Sequence, residues 1–250
     1  MSEIFKKNYI NSVIFRIDYD NINLDKIGEF SGVISHEFSF LSPKSIESNM
    51  FSIDEKGDFK KIQQTNMIWV SKNSDNTKNI EIGNTHLFIE YKTYKNKDIL
   101  LEDIELINSF LKIFSIDVIK RIGLRYVNII NDEKIKEFID WNNYINENLL
   151  GVVNFTGDDE NKLGLRYISN IHLKEDKYLI NIISGIYNND YPNQISKQEF
   201  ILDYDCFSSF PLIINDSEYS ITEIATEMNE IISKLFIKSI KQNLIDIMNG

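Results

Sequence analysis

The sequence predicts an α+β protein. The expected architecture is two related antiparallel-sheet units, each backed by amphipathic helices, with a long C-terminal helix. Three observations carry this. Short segments of alternating apolar and polar residues recur along the chain, as strands with one buried face require. Two stretches instead place apolar residues at helical spacing. The word Gly-Leu-Arg-Tyr occurs twice, at 123–126 and 164–167, within strand-like segments in the same phase.

In chain order, residues 13–20 alternate cleanly, with Val13, Phe15, Ile17 and Tyr19 on one side and Arg16, Asp18 and Asp20 on the other. Residues 21–28 read as a turn-rich connection. Residues 33–41 read as a second strand with Ile34, His36, Phe38 and Phe40 on one face, ended by Pro43. A meander of short strands is expected over 50–94, with turn chemistry at 73–77 and at Gly83-Asn84. Asp98 is placed to cap a helix running to about Phe114, whose Leu100, Ile104, Ile107, Leu111 and Phe114 share a face.

Residues 121–130 then form a strand with Ile122, Leu124, Tyr126 and Ile130 on one face and Arg121, Arg125 and Val127 on the other. Gly123 leaves a gap between the two arginines. A helix is expected over 132–149, a polar loop at 157–161, a hairpin from 163–173 and 178–187, and a strand at 199–205. Ser220 and Glu223 form a capping box. They open the longest helix, whose apolar stripe from Ile221 through Leu244 keeps the 3.6 period to about Met248. Its last turns are also placed to meet a second copy of the chain, so a homodimer is allowed for.

The natural division is 1–131, a sheet plus helix, and 132–250, a sheet plus the long helix, closely joined. Asp18-Tyr-Asp20 and Asp203-Tyr-Asp205 form a second echo between the halves. The order of the repeated words is not kept, as a clean tandem duplication would keep it.

At 250 residues the chain is long enough to bury about 75% of its unfolded surface without disulfides. Its single cysteine, Cys206, excludes an intramolecular disulfide and a cysteine-built zinc site. The expectations are a cytoplasmic protein, with no secretory leader and no membrane-spanning run. A net charge of −11 argues against broad nucleic-acid binding, since an acidic surface repels phosphate backbones. Abundant Ile, Asn and Lys beside a single alanine read as an AT-rich coding bias, which gives the lysine and asparagine counts little functional weight.

The strand Arg-Ile-Gly-Leu-Arg-Tyr-Val-Asn at 121–128, a later Leu-Asp-Tyr-Asp-Cys-Phe at 202–207 and the long C-terminal helix together resemble a sporadically distributed family of uncharacterised, conserved hypothetical bacterial proteins. The resemblance implies a patchily inherited accessory role, of the kind that defence and toxin-neutralising components play.

Among candidate site residues, Arg121, Arg125 and Arg166 beside glycine gaps, with Asp203 and Asp205, have the chemistry to hold a phosphate, carboxylate or nucleotide. The competing reading pairs these arginines with Asp18, Asp20, Asp203 and Asp205 inside the fold. Asp203 and Asp205 at i, i+2 after Glu199 have a spacing that suits Mg²⁺ only with a further ligand, so no metal, cofactor or catalytic residue is expected. His36, His86 and His172 lie in separate predicted strands, without ligand spacing. Tyr187, Tyr191, Phe207 and Phe210 are expected to gather near one end of the second sheet as a surface for a protein partner. That expectation leads, and a small-ligand or nucleotide pocket lined by the Arg and Asp residues is the alternative.

Overall fold

Among the described residues every strand pairing is antiparallel, and the pairings join into one ten-stranded sheet. The computed structural model describes residues 5–53, 59–151, 155, 166–195, 197–214 and 219–250. The strands are β1 (Ile10–Tyr19), β2 (Ser42–Ile53), β3 (Phe59–Lys72), β4 (Lys78–Gly83), β5 (His86–Tyr91), β6 (Val118–Ile130), β7 (Tyr167–Glu175), β8 (Tyr178–Tyr187), β9 (Glu199–Ser208) and β10 (Leu212–Ile213). Their spatial order is β2-β3-β4-β5-β1-β6-β9-β8-β7, with β10 paired to the start of β6. The described helices are α1 (Ile27–Ile34), α2 (Lys97–Ile113), α3 (Ile221–Ser239) and α4 (Gln242–Asn249).

The two sheet units expected from the sequence are therefore one sheet. β6 pairs with β1 on one side and with β9 on the other, so hydrogen bonding runs straight across the 131/132 division. The same pairing accounts for the repeated Asp-Tyr-Asp. The first copy lies at the end of β1 and aims Asp18 at Arg121, while its Asp20 pairs with Lys120. The second lies on β9, on the other side of β6, and aims Asp203 at Arg125 and Asp205 at Arg121.

The helices cover one face of the sheet. Val13, Phe15, Ile17, Ile122, Leu124, Leu202 and Tyr204 are buried beneath them, and α3 packs on β6 and β9 while α1 and α2 pack together. Burying that many aliphatic and aromatic side chains is the main stabilising term, at about 1.5 to 3 kcal/mol each before entropy is charged against it. Lys78 ties the helix layer to the sheet by reaching Glu37 at 2.5 Å and Asp103 of α2 at 3.0 Å. Burial pulls the Lys78 pKa down, but the hydrogen bonds that its ammonium donates to both carboxylates, with their charges, outweigh that and leave it raised.

Four local expectations are corrected. The strand expected at 33–41 does not form: helix α1 runs through Ile34 because Ile27, Phe30 and Ile34 bury one helical face, and beyond a turn only Phe38 makes an isolated bridge, to Asn73. The apparent alternation beyond it is not used, since Phe38 is buried and Phe40 is exposed. His36 accordingly lies in a turn rather than a strand. The helix expected over 132–149 is two short 3-10 turns, Phe138–Asn143 and Glu147–Leu149. Asp140 there accepts from the backbone of Lys136 and Glu137, and Asn146 from that of Asn148. Such side chains compete with helix propagation.

The long C-terminal helix is broken at Ile240, whose backbone is extended and pairs with Ile145. α4 resumes the apolar stripe with Leu244 and Met248 buried. The cap of α2 is Asn96, not Asp98. The loop expected at 157–161 and the first residues of the second Gly-Leu-Arg-Tyr lie outside the described residues.

Candidate functional site

The sheet face opposite the helices carries the charged residues singled out above. Arg125 makes a bidentate pair with Asp203, Nε to Oδ1 at 2.8 Å and Nη2 to Oδ2 at 2.6 Å. Arg121 lies over Gly123, stacks 4.4 Å above the Phe207 ring, and donates to Asp205 at 3.2 Å. It also stands 3.5 Å from Asp18, which in turn accepts from Arg16 at 2.7 Å.

The gap at Gly123 is thus filled by the protein itself. A Cβ there would sit 3.0 Å from the Arg121 guanidinium. Asp203 is only 6% exposed, so the charge it holds needs Arg125. Hydrogen bonding to Asp203 raises the Arg125 pKa. Burial raises that of Asp205, with Arg121 and Arg125 only partly drawing it back.

The other predicted residues do not join this network. Arg166 precedes edge strand β7 and stacks on Tyr187 at 5.1 Å. That is three strand spacings, roughly 14 Å, from β6. The aromatic set is not gathered at one end. Tyr187 pairs with Glu199 at the start of β9, whereas Phe207 lies eight residues further along it, roughly 25 Å away. Phe210 packs beside Tyr219 beyond the far end, and Tyr191 is exposed in the loop after β8. Cys206 is fully buried, and burial pushes its thiol pKa up to about 12, so it is not a nucleophile at neutral pH.

A different cluster lies on the helix side. A cavity of about 550 Å³ opens between the start of β1, the approach to α2, the middle of α3 and the end of α4, with mostly apolar walls. Phe5, Ile232, Phe236 and Met248 supply part of that surface. Four lysines line it, Lys95 and Lys97 at the start of α2 and Lys234 and Lys238 on α3, and no carboxylate does. Among the described residues, none of the four forms an ion pair.

Within the cavity lies a buried relay. Asn229 Nδ2 donates to the Tyr126 hydroxyl at 3.0 Å, and the Tyr126 and Tyr94 hydroxyls are hydrogen-bonded to each other at 2.9 Å. Both hydroxyls belong to buried side chains and share this one bond, so one proton of the pair is left without an acceptor among the described residues. Burial raises the Tyr94 pKa well beyond its ordinary value, and Tyr126 adds to the effect, so the hydroxyl stays a neutral donor.

Sequence reasoning missed this site. Lys95, Lys97, Lys234 and Lys238 were discounted with the rest of a lysine-rich composition, although Lys234 and Lys238 stand at i, i+4 on one helix. Tyr94 and Asn229 are 135 residues apart, and their meeting carries no local signal. Among the described residues no helix is long and apolar enough to cross a membrane. The sequence matches no protein-family model and no curated protein.

Proposed function

We propose that the protein is a binding protein for a small organic anion, held in the cavity between α2, α3 and the start of β1. One observation carries the reading. In a chain of net charge −11, a largely apolar cavity is lined by four lysines without ion pairs and by no carboxylate. Clustered like charges repel one another, and a site that tolerates them gains most when an anion enters. A volume of about 550 Å³ falls within the range of small-molecule sites.

The pocket expected around Arg121, Arg125, Asp203 and Asp205 is a weaker proposal, because each arginine already has a carboxylate partner. The partner-binding reading drew on an acidic surface with four aromatics, which the strand register separates, and its defence or toxin-neutralising role drew on the family resemblance alone. The small-ligand alternative therefore becomes the leading one, at a different place.

Thermal unfolding with and without organic anions tests it, with octanoate, octyl phosphate and adenosine monophosphate as probes. A ligand at 100 times its Kd adds about 2.7 kcal/mol, a rise of about 5 to 10 °C for a domain of this size. The rise should vanish when Lys95, Lys97, Lys234 and Lys238 are all replaced by glutamate. The reading fails if no probe raises the midpoint, or if the glutamate variant responds equally.

A further inference from the structure

Resting on the anion-binding reading, we infer that the ligand is an amphiphile: an anionic head at the lysines, and an apolar body that reaches into the cavity carrying one hydrogen-bond acceptor for the Tyr94–Tyr126 hydroxyl pair. Three independent features lead there.

The first is the division of chemistry within the cavity. Lys95, Lys234 and Lys238 are exposed, whereas Tyr94, Tyr126 and Met248 are buried. An inorganic anion would satisfy the lysines and leave the apolar volume unused. A neutral hydrocarbon would fill the volume and leave four cations facing it. Only a molecule with both parts matches both regions, since apolar burial and charge pairing contribute separately.

The second is the accounting of the relay. The Tyr94 and Tyr126 hydroxyls share one hydrogen bond, so one proton of the pair is unspent. Both side chains are buried and both line the cavity. A buried donor without a partner is costly, so an acceptor on the ligand body gains from meeting it. A neutral hydroxyl pair selects an acceptor such as a ketone, ether or ring nitrogen and does not itself supply charge.

The third is rigidity. Tyr94 is held edge-on to both Tyr91 and Tyr126, with centroids 5.8 and 5.4 Å away. Its hydroxyl is therefore fixed before the ligand arrives, as a specificity-determining donor should be.

Calorimetric titration of the whole chain with four probes tests the inference: decanoate, 5-oxodecanoate, decan-1-ol and acetate. Decanoate should bind at least 100-fold more tightly than acetate and at least 10-fold more tightly than decan-1-ol. The oxo compound should exceed decanoate by about 5-fold, the net worth of one hydrogen bond. In Tyr94→Phe/Tyr126→Phe that last preference should disappear, and a cooperative thermal-unfolding transition reports that the variant is folded. If acetate matches decanoate, the amphiphile is overturned and anion binding stands. If decan-1-ol matches decanoate, the lysines do not recognise the ligand and the proposed function falls with the inference. If the whole chain shows no oxo preference, or if that preference survives Tyr94→Phe/Tyr126→Phe, the hydroxyl pair is not the donor.

Discussion

The arginines of β6 and the lysines around the cavity are both cationic clusters on an acidic protein, yet their surroundings are opposite. Arg121 and Arg125 lie between two strands that carry aspartates, and each is matched to a carboxylate within 3.3 Å. Lys95, Lys97, Lys234 and Lys238 line an apolar cavity with no acid on its walls. The first cluster neutralises itself and fixes how β1, β6 and β9 sit together. The second is left to be neutralised from outside. Charge type and local sequence did not separate the two; what decides is whether the fold supplies the counter-charge.

Substitutions can break or sharpen this contrast. Arg125→Ala should have the largest effect, since it strands the nearly buried Asp203. We expect a loss of about 2 to 4 kcal/mol in urea unfolding, with Arg125→Met/Asp203→Leu recovering part of it. Full loss in both would mean that packing, not charge pairing, is what Arg125 supplies. Next comes Gly123→Ala, whose methyl group would push the Arg121 guanidinium off Phe207 and Asp205. A cost of about 1 to 2 kcal/mol is expected by the same measurement.

A pH series should give a smaller effect at Asp205. Its folded pKa is raised, mainly by burial, so the folded state holds this proton more tightly than the unfolded state does. That contribution makes stability fall as pH rises from the ordinary carboxylate value near 3.8 to the raised one, and then level off. Unfolding midpoints for Asp205→Asn between pH 3 and 7 should lack this component, and an unchanged slope would show that Asp205 does not titrate there. Smallest of all should be the effect of the lysines on stability. Single alanine substitutions at Lys95, Lys234 and Lys238 should each move it by less than about 0.5 kcal/mol. A marked loss at any of them would place that lysine in the structural class with Arg125.

Much of this was legible in the chain. The alternation of 13–20 and 121–130 gave β1 and β6 with the correct faces, and the capping box at Ser220 located the start of α3. The competing reading, in which the arginines pair with Asp18, Asp20, Asp203 and Asp205, matches the geometry at Arg121 and Arg125, whereas Arg166 stacks on Tyr187 and Asp20 pairs with Lys120. Errors came where two periodicities overlap, as at 27–41, or where an apolar stripe runs through a backbone break. Ile240 fits the stripe of α3 equally well whether the helix continues or an extended residue carries the chain into α4.

Strand alternation and helix faces follow from the sequence alone, because each depends on residues within a few positions of one another. The single ten-stranded sheet, the division of cations into paired and unpaired clusters, and the Asn229–Tyr126–Tyr94 relay were decided only by tertiary structure. Their partners lie tens to more than a hundred residues apart. Whether a charge or hydroxyl is satisfied depends on which distant group the fold brings within hydrogen-bond reach.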